Sequence, residues 1–394
     1  MALFTGNYNY VMDGPARTLN MLVDFLGRRG HEAVVFAPTG KKPVLEHAGT
    51  LISVPSVPFP GRGEYRLGVA VPGSARKTLE RLKPDIIHIA APDILGLTAL
   101  RYARKRNIPV VASFHTRFDA YPRYYKMRWL EKPITRYLQY FYRRCEHVYA
   151  PSPSMAAALR ADGIGRDVRL WTRGVDSDLF NPGKRDFEWR RAQGFADDDV
   201  VGAFVGRLVL EKGIEVFADA FAQLVESRPN ARALIVGDGP ERARFAQSLP
   251  GGVFTGYVQG DELARAYASA DIFFNPSITE TFGNVTLEAM ASGIPSVCAK
   301  AAGSISLIEH GRTGFVCAPE EGAAGYADAL RRLASDPDLR ARIGADARSK
   351  SLEFNWDTVL DALVDHYQEA INGYRRRAPA QDRSARAISR NRAA

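Results

Sequence analysis

The chain has 394 residues, 46% of them hydrophobic and 25% charged, with a net charge of +9. Such a composition excludes a fibrous or disordered protein and leaves room for about two domains, each with a sizeable core. No apolar run approaches the roughly 18 residues needed to cross a bilayer, and the opening MALFTGNYNY lacks the basic-then-apolar pattern of a secretory leader.

Three cysteines, Cys145, Cys298 and Cys317, stand far apart with no CxxC pair. That argues against a disulfide framework or a zinc site and for a reducing compartment, with the cytoplasm as the expected location. The positive charge is concentrated in two places. Residues 374–394 carry seven arginines against one aspartate, and residues 117–147 carry eight Lys/Arg against three Asp/Glu, so the remainder is nearly neutral. Two basic patches on a neutral body suit an anionic surface as partner better than a nucleic-acid-binding fold.

In the first half, short apolar runs alternate with helix-length amphipathic ones. Leu3-Phe4-Thr5 precedes Asp13-Gly14-Pro15 and a helix to about Arg29. Strands are expected at Ala33–Phe36, Asp85–Ile89 and Val110–Ser113, with a helix around 93–105. The second half repeats the style, with strands expected at 200–205, 232–236, 253–255, 271–275, 295–298 and 314–317. Near-continuous apolar strands separated by helices imply parallel sheets covered on both faces, here two Rossmann-like α/β domains. The turn-forming Asn181-Pro182-Gly183-Lys184 sets the expected boundary, giving domains 1–182 and 183–355. A last helix is expected over 356–373, with Val359, Leu360, Leu363 and Tyr367 at helical spacing, followed by a disordered basic tail, 374–394.

Several loops after these strands carry residues with chemical content. Asp13-Gly14-Pro15 places proline at the start of a helix, and Gly14 lets backbone approach a ligand. Ser113-Phe114-His115-Thr116 ends a strand with a histidine able to donate to or accept from a hydroxyl or phosphate. Gly206-Arg207 through Lys212-Gly213 brings two cations that can neutralise a leaving diphosphate. Gly237-Asp238-Gly239 has the first two glycines of a dinucleotide fingerprint but lacks the third, which disfavours a nicotinamide enzyme. The stretch 117–147 interleaves basic residues with aromatics, among them Tyr124 and Trp129. It suits an anionic membrane, single-stranded nucleic acid, or an ordinary domain face.

The richest stretch is 271–298, DIFFNPSITETFGNVTLEAMASGIPSVC. A strand leads to a loop with Glu280, then a turn at Thr281–Asn284, then a helix bearing Glu288. Small residues at the helix start leave N–H groups open to an anionic or hydroxyl-rich ligand. The string P-S-x-x-E-T-F-G-x-x-x-L-E-A-M-A-x-G-x-P, with G-R-x-x-x-x-K-G upstream, resembles the donor site of retaining glycosyltransferase family 4, a GT-B group. Trp171-Thr172-Arg173-Gly174-Val175-Asp176 resembles the linker of the branch holding sulfoquinovosyl-diacylglycerol synthases and GDP-mannose-dependent mannosyltransferases.

The resemblance implies two Rossmann-like domains facing a central cleft, an N-terminal acceptor-binding domain and a C-terminal donor-binding one, with the last helix crossing back to the first. It also implies a retaining transferase that needs no metal or cofactor and uses a nucleotide-diphospho-sugar, a UDP-sugar favoured, as co-substrate. Glu288 is expected to hold the ribose, and Glu280 with the backbone of Phe282, Gly283 and Asn284 the sugar. Arg207, Lys212 and Gly14 are expected on the diphosphate, Gly256 and Tyr257 at the base, and His115 beside the acceptor. Arg117, Tyr121, Tyr124 and Trp129 are expected to face the acceptor and an anionic membrane, making the enzyme a peripheral one on the inner face of the cytoplasmic membrane. The expected acceptor is a lipid, diacylglycerol first and a lipid-linked or inositol-type mannose acceptor second, with no nucleic acid partner. Asp176-Ser177-Asp178 and Asp336-Pro337-Asp338 lie in turn-like sequence and are assigned no metal. A nucleotide-sugar 2-epimerase and a non-catalytic membrane-binding module stand as readings of a different class.

Overall fold

The computed structural model describes residues 1–11, 13–40, 43–59, 62–115 and 128–377. They form two compact units, Met1–Trp171 together with the segment from Asp357 onward, and Thr172–Trp356.

In the first unit the strands are β1 (Ala2–Phe4), β2 (Val34–Ala37), β3 (Thr50–Ser53), an antiparallel hairpin of β4 (Ser56–Phe59) and β5 (Arg62–Gly68), β6 (Ile87–Ile89), β7 (Val110–Ser113), β8 (His147–Ala150) and β9 (Val168–Leu170). Seven of them make one parallel sheet in the order β3-β2-β1-β6-β7-β8-β9. Every residue of β1, β2, β6, β7 and β8 is buried, whereas the edge strands β3 and β9 are partly open. That is why the central strands read as unbroken apolar runs: helices cover both faces. The edge strands β3 and β9 and the hairpin β4–β5 carry no such signal, and β8, though buried, breaks its run with His147 and Tyr149; all of these go unread in the sequence.

The last helix, Trp356–Arg377, packs Leu360, Leu363, Tyr367 and Ala370 into the first unit. Its exposed side is tied down by Arg29–Asp361 (2.7 Å) and Arg169–Glu369 (2.5 Å). It runs on past residue 373, because Arg375 pairs with Asp85 and Arg377 with Glu146, which adds a basic last turn favoured by the helix dipole. The tail expected to be disordered falls mostly on 378–394, outside the described residues.

The second unit holds β10 (Val200–Val205), β11 (Ala231–Val236), β12 (Val253–Gly256), β13 (Ile272–Asn275), β14 (Ser296–Ala299) and β15 (Gly314–Cys317). They form a parallel sheet in the order β12-β11-β10-β13-β14-β15. Alternate residues feed two cores. Phe204, Ile272 and Phe274 join Phe217, Phe221 and Phe245 on one face. Ala203, Val205 and Phe273 join Tyr267, Leu287 and Met290 on the other. Both units are thus doubly wound α/β folds.

Candidate functional site

In the second unit the chain builds β10, β11 and β12 outward in one direction, then returns to lay β13 on the other side of β10. The loops after β10 and β13 therefore diverge at a topological switch point, the place where open parallel sheets bind ligands. These two loops carry Arg207 and Lys212, and Glu280 through Asn284.

The loop after β10 runs through half-buried Arg207 to a short 3-10 turn, Leu210–Lys212, and closes on Gly213 at φ +72. A Cβ on Gly213 would stand 2.9 Å from the Pro276 carbonyl, so glycine lets the two loops meet. Ser277 and Thr279 hydroxyls both donate to the Glu211 carbonyl, at 3.5 and 3.4 Å. Side by side, the loops bring the Lys212 Nζ to 2.5 Å from the Glu280 Oε1, with Glu280 only 11% exposed. A carboxylate that shielded needs a partner, and the ammonium supplies it.

Beyond Glu280, Phe282 is buried and Gly283 takes φ +98 as N-cap of the helix Asn284–Ala291. No side chain caps that helix, because glycine stands where a Ser or Asp would otherwise accept from its first N–H groups. The Gly303 N–H donates to the Glu280 carbonyl at 2.8 Å, bracing the loop from β14. Glu288, in the second turn of the helix, is buried, and its Oε2 accepts from the Tyr267 hydroxyl at 3.0 Å. The same hydroxyl lies 3.1 Å from the Val285 carbonyl. On the other side of β10, the Gly256 carbonyl accepts the Gly237 N–H at 2.8 Å, and Tyr257 projects half-exposed from the end of β12. The structure thus groups Lys212, Glu280, Phe282, Gly283, Asn284 and Glu288 around one switch point. Arg207 lies on the same loop as Lys212, and Gly256 and Tyr257 lie two strands away.

The first unit has its own switch point, between β1 and β6. Gly14 opens the helix Gly14–Arg28 behind Asp13, whose Oδ1 accepts the Ala16 N–H at 2.8 Å. Asn7 donates to the other Asp13 oxygen at 2.9 Å and fixes the preceding loop. His115 follows β7 and holds its Nε2 2.7 Å from the Ser113 Oγ. Arg117, Tyr121 and Tyr124 lie outside the described residues. Trp129 is 74% exposed ahead of the helix Glu131–Tyr142.

That helix buries Leu138, Phe141 and Tyr142 and turns Lys132, Arg136 and Tyr140 outward. The Arg144 guanidinium lies 3.6 Å from the centre of the Tyr140 ring. The two Asp-x-Asp stretches have local duties. Asp176 accepts the N–H groups of Asp178 and Leu179, and Asp336 caps the helix Pro337–Ser351. All three cysteines are buried free thiols, and burial pushes Cys298 up to about 12. Among the described residues no helix is long and apolar enough to cross a membrane.

Tyr267, Gly303 and Thr279, which help to hold the site together, have no signature of their own in the sequence, and Ser277, though it stands in the P-S-x-x-E string, receives no role from it. His88, in contact with Ser113, does have one: it is a lone polar residue inside the apolar run Ile86–Ile89.

The sequence profile described as Glycosyltransferase Family 4 matches residues 12–179, and that described as Glycosyl transferases group 1 matches residues 199–336. The chain is 33% identical to a sulfoquinovosyl transferase of Arabidopsis thaliana, over 90% of this chain and 70% of the relative. It is 35% identical to a GDP-mannose-dependent alpha-mannosyltransferase of Mycolicibacterium smegmatis, over 92% and 95%. It is 27% identical to an alpha-monoglucosyldiacylglycerol synthase of Streptococcus pneumoniae, over 94% and 86%. Among solved structures it resembles in fold a sucrose-phosphate synthase from Thermosynechococcus elongatus, with TM-score 0.78 and 21% identity over 94% and 99% of the two chains. The chain has two parallel-sheet α/β domains of the GT-B class, and these relatives match over 70–95% of their own length: the chain belongs to glycosyltransferase family 4 and is a glycosyltransferase.

Proposed function

We propose that this enzyme transfers a hexose or hexuronic acid from a nucleotide-diphospho-sugar, a UDP-sugar first, to diacylglycerol in an anionic membrane, with retention at the anomeric carbon and without a metal. The observation that carries this reading is the Lys212–Glu280 pair at the switch point of the second unit. A half-buried ammonium suits the departing diphosphate, and a carboxylate beside it suits sugar hydroxyls. Arg207 adds a second cation on the same loop. Phe282, Gly283 and Asn284 offer backbone to the sugar, and Glu288, held by Tyr267, takes the ribose hydroxyls. Gly256 and Tyr257 border the base. In the first unit, Gly14 and His115 keep the diphosphate and acceptor roles expected from the family resemblance. In the proposed reaction the bond from the anomeric carbon to the phosphate oxygen breaks while the acceptor oxygen bonds on the same face. The acceptor proton passes to the leaving phosphate.

The lipid acceptor is supported by the names of the glycolipid-forming relatives. It is also supported by the outward face of Trp129, Lys132, Arg136, Tyr140, Arg143 and Arg144, where rings and cations alternate. Such a face meets a membrane headgroup layer with its rings at the interface and its charges on phosphate. We place the enzyme peripherally on the inner face of the cytoplasmic membrane. A GDP-mannose donor with a lipid-linked or inositol-type acceptor is the second reading, favoured by 35% identity over 95% of a mannosyltransferase.

The test combines purified protein, diacylglycerol-containing anionic liposomes and a panel of UDP- and GDP-sugars, with mass spectrometry of nucleotide and lipid. A hexosyl or hexuronosyl lipid formed with UDP release is the expected result. Product only from GDP-mannose selects the second reading, and nucleotide release without lipid product overturns the acceptor.

A further inference from the structure

Behind His115 lies a buried hydrogen-bond chain that none of the roles above uses. The Tyr367 hydroxyl, on the last helix, lies 2.5 Å from Nδ1 of His88 on β6. Nε2 of His88 lies 3.0 Å from the Ser113 Oγ on β7, and that oxygen lies 2.7 Å from Nε2 of His115. His88 and Ser113 are at most 1% exposed, and Tyr367 is 5% exposed. The rings of Tyr149, Trp171 and Tyr367 pack edge-on around His88, with centroids 5.6–6.0 Å away, so the path is enclosed by aromatic side chains.

Counting protons decides which way this chain runs. Ser113 has one hydroxyl proton, and accepting from both imidazoles would leave that proton without an acceptor among the described residues, so it donates to one imidazole and accepts from the other. If it donates to His88, neutral His88 carries its proton on Nδ1 and donates to Tyr367. The phenol proton is then buried, and among the described residues His88 is the one hydrogen-bond partner Tyr367 has. An unmet buried O–H is costly, roughly enough for a tenfold or greater bias. Charging His88 would leave the same phenol proton unmet, because Nδ1–H would again donate to Tyr367, and would bury a charge as well. Burial also holds the Tyr367 phenol well above its ordinary pKa, so it keeps its proton to donate. Run the other way, every group is satisfied: Tyr367 donates to His88 Nδ1, His88 Nε2–H to Ser113, and Ser113 to His115 Nε2.

We propose that Tyr367 is a positioning residue which, through His88 and Ser113, locks His115 as the neutral tautomer with its proton on Nδ1. His115 is then a directed hydrogen-bond donor toward an oxygen, with Nε2 occupied and unable to serve as a base. This inference rests on the reading that His115 serves the reaction. It agrees with a reaction in which the leaving phosphate, not a side chain, takes the acceptor proton. An orienting partner fixing a histidine tautomer is a recurrent device in active sites.

The test is long-range proton–nitrogen NMR of the full-length protein labelled with 15N-histidine, assigned by replacing His88 or His115 with Gln. In the wild type His88 is expected as the Nε2–H form and His115 as the Nδ1–H form. Tyr367→Phe keeps the ring and removes the donor, so both histidines should shift to mixtures near 1:1. Ser113→Ala, a smaller change, should release His115 while leaving His88 as Nε2–H, which covers the case of a poorly folded Tyr367→Phe. An Nε2–H His115 in the wild type, or an Nδ1–H His115 unmoved by Tyr367→Phe, overturns the proposal. Turnover is expected to fall with the Nδ1–H fraction, about twofold for Tyr367→Phe. If the tautomers shift as expected while turnover does not follow, the lock stands and the reading of His115 as a reaction residue is the part that fails.

Discussion

The Lys212–Glu280 pair invites a perturbation that separates its structural and chemical roles. Lys212→Met keeps the aliphatic stem and removes the charge, leaving Glu280, 11% exposed, without its ammonium. Breaking a fully buried pair costs about 3–5 kcal/mol. An exposed pair is worth about 0–1 kcal/mol. With Lys212 29% exposed, the expected loss falls between these, about 2 kcal/mol. In a unit of this size that lowers the melting temperature by roughly 4–8 °C. The chemical loss should be larger: one missing stabiliser of developing charge lowers turnover about 10²–10³-fold. Adding Glu280→Gln to Lys212→Met removes the stranded carboxylate and should recover most of the stability, a coupling of about 1–2 kcal/mol between neighbours. It should recover none of the turnover. Calorimetry and donor-consumption kinetics on the four proteins complete the cycle. Turnover of Lys212→Met within about twofold of wild type, or turnover returning with stability in the double variant, would refute the reasoning and leave the pair a scaffold.

Three further outcomes follow from contacts around the two switch points. A Cβ on Gly303 would stand 2.4 Å from the Phe282 carbonyl, so Gly303→Ala should push the Glu280–Gly283 loop, raising the donor KM and costing about 1–3 kcal/mol in chemical denaturation. Tyr267→Phe removes the donor to Glu288 Oε2, and the donor KM should rise several-fold with about 1–3 kcal/mol of stability lost; an unchanged KM would mean that Glu288 needs no such support. Burial pushes the Asp93 carboxyl up from 3.8 to about 6 against the pull of backbone N–H groups such as that of Gly96. Because the folded state holds that proton more tightly than the unfolded one, stability falls as pH rises from about 4 through 6. Asp93→Asn keeps a cap and loses the charge, so it should be more stable by about 1–2 kcal/mol at pH 7.5 and no more stable at pH 4, measured by thermal melts.

The parallel strands were legible because their burial on two faces writes itself as apolar runs: Val110–Ser113, Val200–Val205 and Gly314–Cys317 stand where the sequence placed them. The edge strand Val168–Leu170 and the hairpin Ser56–Gly68 were not, since a half-open strand has no such run. At the site, the loops were legible through their glycines, because Gly213 and Gly283 occupy backbone angles other residues avoid. The partners of those loops were not. Tyr267 reads as one more apolar residue of an amphipathic helix, although its hydroxyl is what Glu288 bonds to. His88 and Tyr367 lie far apart in sequence, and only the packing of the last helix onto the first unit puts them within hydrogen-bond reach.

How the loops of the second unit are held bears on what its charged pair is for. Ser277 and Thr279 reach the Glu211 carbonyl, Gly303 reaches the Glu280 carbonyl, and the Asn275 side chain accepts the Ser277 N–H. All of these bonds act on backbone, and none involves the Lys212 ammonium or the Glu280 carboxylate. The loops after β10 and β13 therefore have their shape without the ion pair. A pair needed only to join them would be redundant, and at 11% exposure the carboxylate would carry a desolvation cost with nothing to offset it but the lysine. Replacing both by apolar residues would then leave the fold at least as stable. Opposite charges kept side by side at a switch point, on loops already fixed by other bonds, are better explained by a ligand that presents phosphate to one and hydroxyls to the other.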